Sequence, residues 1–222
     1  MTLLAPIFAG SVENPSTPLG RWRGYIYGNM GAVMNNQNAM VQGSLSAVAR
    51  QNGTSIAESF IECNAVILVD VSGSMGQNDS RGGQQRYKVA CEELARLQKN
   101  MPGKIAVLSF SDATKFCAGG VPGFDMGGTD LTRALKFAIM ADVTGMRFFV
   151  ISDGCPDNED SALNEARKFK NRIDTIYVGD ESNRYAIDFL KRLAAASGGV
   201  HVDAARVLEL SAKMELLLGA GA

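Results

Sequence analysis

Residues 65–75 read Ala-Val-Ile-Leu-Val-Asp-Val-Ser-Gly-Ser-Met, or AVILVDVSGSM. A continuous apolar run of this length bounded by polar residues is the pattern of a strand buried on both faces. The run then meets a carboxylate, Asp70, and two hydroxyls spaced two residues apart, Ser72 and Ser74. Two readings compete. Short polar side chains after a strand commonly close a turn or cap a helix. Alternatively, the three oxygens are three points of a cage around a hard cation. The rest of the chain decides between them.

Working outward from 65–75, short apolar runs alternate with helical periods. Tyr87, Ala90, Cys91, Leu94 and Ala95 fall on one stripe of a predicted helix, and 104–112 (KIAVLSFSD) reads as a second strand, with 113–119 able to fold back as its hairpin partner. Leu131, Ala134, Leu135, Ala138 and Ile139 repeat the helical stripe before a third buried strand, 147–154 (RFFVISDG). A helix over 160–170 turns Ala162, Leu163, Ala166 and Phe169 inward. A strand follows at 173–180, then a helix over 184–197 that stops at Gly198-Gly199. A short strand at 200–204 and a helix carrying Val207, Leu210, Met214 and Leu217 complete the pattern. Alternation of this kind predicts an α/β fold, a mostly parallel sheet with helices on both faces, whose ligands bind beyond the carboxyl ends of the strands.

The polar residues of interest sit at those ends. Thr129, in GGTDL, immediately precedes a predicted helix, and Asp153, in ISDG, ends a later strand. If the two strands are neighbours, Asp70, Ser72, Ser74, Thr129 and Asp153 converge on one crevice from three loops. Three hydroxyls and two carboxylates suit Mg²⁺, which takes oxygen ligands octahedrally and keeps some of its water; Mn²⁺ and Ca²⁺ are the alternatives. Only two negative charges would surround the dication, so it stays electrophilic toward an acid from outside. Taken singly, each piece has a plainer account: a turn at 70–74, a helix N-cap at Thr129, a strand-exit turn at Asp153. Their order and placement favour the cage.

These residues resemble the metal-ion-dependent adhesion site (MIDAS) of von Willebrand factor type A (vWA) domains. The resemblance spans about 63–222 and rests on DVSGS (70–74), GGTD (127–130) and SDG (152–154), with all five positions matching. It implies a three-layer Rossmann-like fold, a six-stranded sheet with one antiparallel edge strand. It also implies direct coordination by Ser72, Ser74 and Thr129, with Asp70 and Asp153 often acting through water. A partner protein would complete the shell with an exposed Asp or Glu. The implied function is a non-enzymatic adaptor or assembly module, and some intracellular relatives work beside MoxR-type AAA+ ATPases.

Composition narrows the field further. The net charge is −1 and no long basic run occurs, which argues against nucleic acid or an anionic membrane as partner. No apolar run reaches the roughly 18 residues of a membrane span, and the first ten residues lack the basic flank of a secretion signal, so a soluble, cytoplasmic protein is expected. Cys63, Cys91, Cys117 and Cys155 form no Cys-x-x-Cys, and the one histidine, His201, supplies no zinc spacing. A haloacid dehalogenase-type phosphatase needs a second acid where Ser72 stands, and neither a G-x-S-x-G elbow nor a P-loop lysine occurs. Near the proposed metal loops, Asp79, Arg81, Arg86 and Asp157 are candidates for contacting the partner, and Cys155 lies two residues from a proposed ligand.

Residues 1–62 differ in kind. They hold six charged residues (Glu13, Arg21, Arg23, Arg50, Glu58, Glu62) and no lysine, so a boundary is placed at 62, with 1–62 as an extension and 63–222 as the domain. Met34, Val41, Leu45 and Val48 give a helical stripe ending at Asn52-Gly53, and Ser55 with Glu58 forms a capping-box pattern. The extension either packs on its own domain or serves as an assembly arm, with Trp22, Tyr25, Tyr27, Met34 and Val41 as anchors on another subunit. The second case would suit a self-assembling component of a larger complex, including a viral one, or a homo-oligomer.

Overall fold

The computed structural model of the chain describes residues 40–203. Six strands form one sheet in the order β3-β2-β1-β4-β5-β6: β1 Ala65–Asp70, β2 Ile105–Phe110, β3 Thr114–Phe116, β4 Arg147–Ser152, β5 Ile173–Tyr177 and β6 His201–Asp203. All neighbours pair in parallel except β3, which folds back antiparallel on β2 at the sheet edge. The expected α/β class, with its single antiparallel edge strand, is the observed one.

Buried strands have to feed both faces, and β1 does so by alternation. Val66 and Leu68 enter one core with Leu108, Phe110, Phe148 and Val150. That face is covered by α4 (Leu131–Ala138), α5 (Glu159–Ala166) and α6 (Arg184–Ala196), with α1 (Leu45–Asn52) and α2 (Ile56–Ile61) at one side. Ala65, Ile67 and Val69 enter the other core, under Val89, Ala90, Leu94 and Leu97 of α3 (Arg86–Asn100). Every residue of β1 is buried, and each large aliphatic side chain so placed contributes about 1.5–3 kcal/mol.

Helix α3 is rotated from the expected stripe. Cys91 and Ala95 are only half-buried, while Arg86, Glu93 and Gln98 share the buried face with Val89, Ala90, Leu94 and Leu97. A hydrophobic stripe cannot anticipate polar residues buried with partners. Gln98 donates through Nε2 to the Gly120 carbonyl at 2.9 Å, and Glu93 pairs with Arg81 and Arg96.

The described part of the N-terminal segment packs on the domain. Leu45 and Phe60 are 2% and 5% exposed and belong to the same core as Val66 and Leu68. The Val41 N–H donates to the Gly119 carbonyl, and Gly103 N–H donates to the Gly43 carbonyl. Gly43 (φ +85°) sits so close to α3 that a Cβ would lie 2.0 Å from the Gln98 carbonyl oxygen. Within the described part of the expected helical stripe, Val41 precedes the helix, which begins at Leu45 with Ser44 as N-cap, its hydroxyl accepting the Ala47 N–H. The capping box at Ser55 and Glu58 forms as read. Trp22, Tyr25, Tyr27 and Met34 lie outside the described residues, as does the final helix expected beyond 204.

Candidate metal centre

Strand order places the site. Chain leaving β1 runs to α3 on one face, and chain leaving β4 runs to α5 on the other. The loops after β1 and β4 therefore part company beside each other, which makes the crevice between these two carboxyl ends the natural ligand site of an open α/β sheet. The pairing Val69↔Ile151 sets Asp70 level with Ser152 and one residue short of Asp153.

Asp70 is fully buried. Its Oδ1 accepts the Ser72 N–H at 2.9 Å and its Oδ2 accepts the Ser152 hydroxyl at 2.7 Å, while Ser152 Oγ in turn accepts the Gly154 N–H at 3.0 Å. Burial, and then the charge of Asp153, push the Asp70 carboxyl up to about 6 despite those hydrogen bonds. The Ser72 and Ser74 hydroxyls lie 3.1 Å apart, side by side at the start of a short 3-10 turn, Gly73–Gly76.

Asp153 is divided. Its Oδ2 accepts from Arg86 Nη1 at 2.7 Å, whereas its Oδ1 is buried with no hydrogen-bond partner. A buried, unpartnered carboxylate oxygen is costly, and such atoms are rare in folded proteins without a bound ion or water. Gly154 makes the exit from β4 with φ +78°, and a Cβ there would stand 2.6 Å from the Ala186 carbonyl oxygen.

Thr129 is buried in the loop before α4, and that loop meets the Ser72–Ser74 loop where the Gly73 N–H donates to the Gly127 carbonyl at 3.1 Å. The N-cap of α4 is Asp130, whose carboxylate accepts the Arg133 N–H at 2.9 Å, so the Thr129 hydroxyl is not spent on capping. The Thr129 main chain is held instead by Asp157, and the Gly128 N–H by Asp112 Oδ1 at 2.9 Å.

The candidates for partner contact are held in different ways. Arg86 is buried, inside the site, on Asp153. Asp79 is exposed but grips Arg86, and Arg81 is engaged with Glu92 and Glu93 of α3. Asp157 is exposed, with one carboxylate oxygen on the Thr129 loop. Ser152 and Asp112 were not singled out from sequence. The signal for Ser152 was its place in the strand pairing, level with Asp70; Asp112 offered no local signal. Cys155 is exposed as a residue, yet partial desolvation of its sulfur, and then the nearby Asp153 charge, raise its thiol pKa.

Among the described residues no three Asp, Glu, His or Cys side chains gather as a metal-binding group. The candidate set has only two carboxylates and draws its other donors from hydroxyls, a composition that favours a hard, oxygen-seeking ion. The residues fit such an ion on two observations: the unpartnered Asp153 Oδ1, and an Asp70 whose ionisation burial opposes. No helix among the described residues is long and apolar enough to cross a membrane.

No family model matches the chain, and no curated protein does. Solved structures do. An aerotolerance-related membrane protein from Bacteroides fragilis, carrying multiple mutations to serine, superposes with a TM-score of 0.57 at 14% identity, over 71% of this chain and 99% of that one. The manganese-loaded TRAP protein of Plasmodium vivax gives 0.50 at 18% identity, over 71% and 74%. A D319A mutant of the PilB minor pilin from Streptococcus sanguinis gives 0.51 at 12% identity, over 71% and 62%. At these identities the likeness establishes the fold, which is that of a vWA-type, Rossmann-like domain.

Proposed function

We propose that this chain is a non-enzymatic, cation-dependent protein-binding module. Asp70, Ser72, Ser74, Thr129 and Asp153 hold Mg²⁺, with Mn²⁺ or Ca²⁺ as alternatives, and a partner protein completes the shell with an Asp or Glu. The observation that carries this reading is Asp153 Oδ1, a buried carboxylate oxygen without a partner, beside the fully buried Asp70. Two carboxylates in one low-dielectric crevice call for more positive charge than Arg86 alone supplies. Support for the divalent ion also comes from the manganese-loaded neighbour of the same fold. The ion's role is to attract and orient an acid; the chain's own residues fix its position and leave an approach for the partner.

The resemblance makes a MoxR-type AAA+ ATPase the first partner to try. The test is titration of the purified protein and of Asp70→Asn with MgCl₂, followed by capture of that ATPase in Mg²⁺ and in EDTA. Metal binding lost in the variant, with capture lost both in EDTA and in the variant, is the expected result. Binding of Mg²⁺ with no effect on capture would leave the metal a structural part and overturn the docking reading.

A further inference from the structure

The most densely bonded side chain of the crevice is a cation the protein brings itself. Arg86 is 7% exposed and opens α3, at the foot of the loop that carries Ser72 and Ser74. Its Nε donates to Asp79 Oδ1 at 2.6 Å. Its Nη2 donates to Asp79 Oδ2 at 2.6 Å and to Gln77 Oε1 at 3.0 Å. Its Nη1 donates to Asp153 Oδ2 at 2.7 Å and, more weakly, to the Ser74 carbonyl at 3.5 Å. All five guanidinium donors are thereby used inside the chain, which leaves none for a partner protein.

The geometry does two things at once. It ties the Ser72–Ser74 loop, through Ser74, Gln77 and Asp79, to the β4 exit at Asp153, so that two of the three loops of the crevice share one fork. It also sets a fixed positive charge against one oxygen of a proposed ligand while the other oxygen stays buried and unpartnered. A buried carboxylate deprived of such a partner is strongly destabilising, whereas a dication nearby would supply the charge in its stead. Arginine and metal therefore act on Asp153 in opposition: each is less favourable in the presence of the other.

We propose that Arg86 is a resident counter-cation of the crevice, which lets the site fold without its metal and holds down its affinity for a divalent ion. The inference rests on the metal reading above and adds its regulation: the site is poised between an internal cation and an external one. Lysine at this position would keep the charge but lose the bidentate grip on Asp79, so it separates the charge from the fork geometry.

The test compares wild type, Arg86→Met and Arg86→Lys by calorimetric titration with MgCl₂ and by thermal melting in EDTA and in MgCl₂. Arg86→Met is expected to melt lower than wild type in EDTA, to regain most of that loss in MgCl₂, and to bind Mg²⁺ about tenfold tighter or more. Arg86→Lys, which keeps the charge, is expected to stay within about threefold of wild-type affinity. Equal or weaker Mg²⁺ binding by Arg86→Met, or a loss of stability that MgCl₂ does not restore, overturns the proposal while leaving the metal reading intact if wild type binds. Folded proteins of which none binds Mg²⁺ overturn both. Should Arg86→Met fail to fold in either buffer, Asp79→Asn decides: it leaves the Arg86 charge undivided on Asp153 and must weaken Mg²⁺ binding, and unchanged or tighter binding sinks the idea.

Discussion

Asp157 and Thr129 are locked to each other by two hydrogen bonds to the Thr129 main chain: Asp157 Oδ1 accepts the Thr129 N–H at 3.0 Å, and the Asp157 N–H donates to the Thr129 carbonyl at 3.1 Å. The loop after β4 thereby fixes the height of the loop before α4. Asp157 thus supports a proposed ligand without being one. Asp157→Ala removes the charge-assisted bond to the Thr129 N–H and is expected to weaken Mg²⁺ binding about tenfold; because Asp157 is exposed, the loss of global stability is expected to stay within about 1 kcal/mol. Titration calorimetry beside a thermal melt checks both halves.

Thr129 and Asp130 are adjacent but do separate work, and substitution should divide them. Thr129→Val keeps the shape and removes the hydroxyl; metal binding is expected to fall while the melting temperature holds. Asp130→Ala removes the N-cap of α4 and is expected to cost about 1 kcal/mol of stability, with metal binding largely kept. Urea unfolding and metal titration of the two variants give the comparison.

Asp70 gives the site a pH dependence. Its folded pKa, near 6, lies above the ordinary carboxylate value, so the folded state holds this proton more tightly than the unfolded chain does. In EDTA, the Asp70 contribution therefore weakens stability as pH rises from about 4 to about 6, and levels off above that. Mg²⁺ affinity runs the other way and rises across the same window, because the ion requires the carboxylate. Melts at several pH values, with and without MgCl₂, are expected to cross in sign.

Phe60 tests whether the segment before residue 63 is integral to the domain. Its ring meets Phe116 of β3 edge to face with centroids 6.1 Å apart, and it is 5% exposed. Phe60→Ala is expected to cost about 3–5 kcal/mol, read from urea unfolding. A loss below 1 kcal/mol would mean that the segment is loosely held.

Gly154→Ala is expected to destabilise by more than 1 kcal/mol and to disturb metal binding at once. Its φ of +78° and the 2.6 Å approach of a Cβ to the Ala186 carbonyl oxygen force either the β4 exit or the start of α6 to move. Asp153, one residue earlier, would move with it.

Much of this was legible in the chain. The runs 65–70, 105–110 and 147–152 are apolar and short enough to name themselves as strands, and Ser55 with Glu58 announced a helix start from four residues of text. Such signals are local: periodicity and capping depend on neighbours in sequence. Helix α3 was harder, because Arg86, Glu93 and Gln98 look like solvent residues until their partners at Asp153, Arg81 and Gly120 are in place. Ser152 was overlooked for a related reason. Its significance lies in standing level with Asp70 across β1 and β4, and no window along the chain contains both.

The sequence by itself determined the α/β alternation, the acids and hydroxyls at the strand ends, and the chemistry such a set favours, because strand burial and donor type are written residue by residue. Only the tertiary structure decided that β1 and β4 are neighbours, that one oxygen of Asp153 is taken by an arginine while the other is buried without a partner, and that Arg86 is packed into the crevice. Those outcomes depend on contacts between residues 67 and 82 positions apart, Arg86 with Asp153 and Asp70 with Ser152. Their energies come from burial and charge pairing that exist only once the sheet has closed around them.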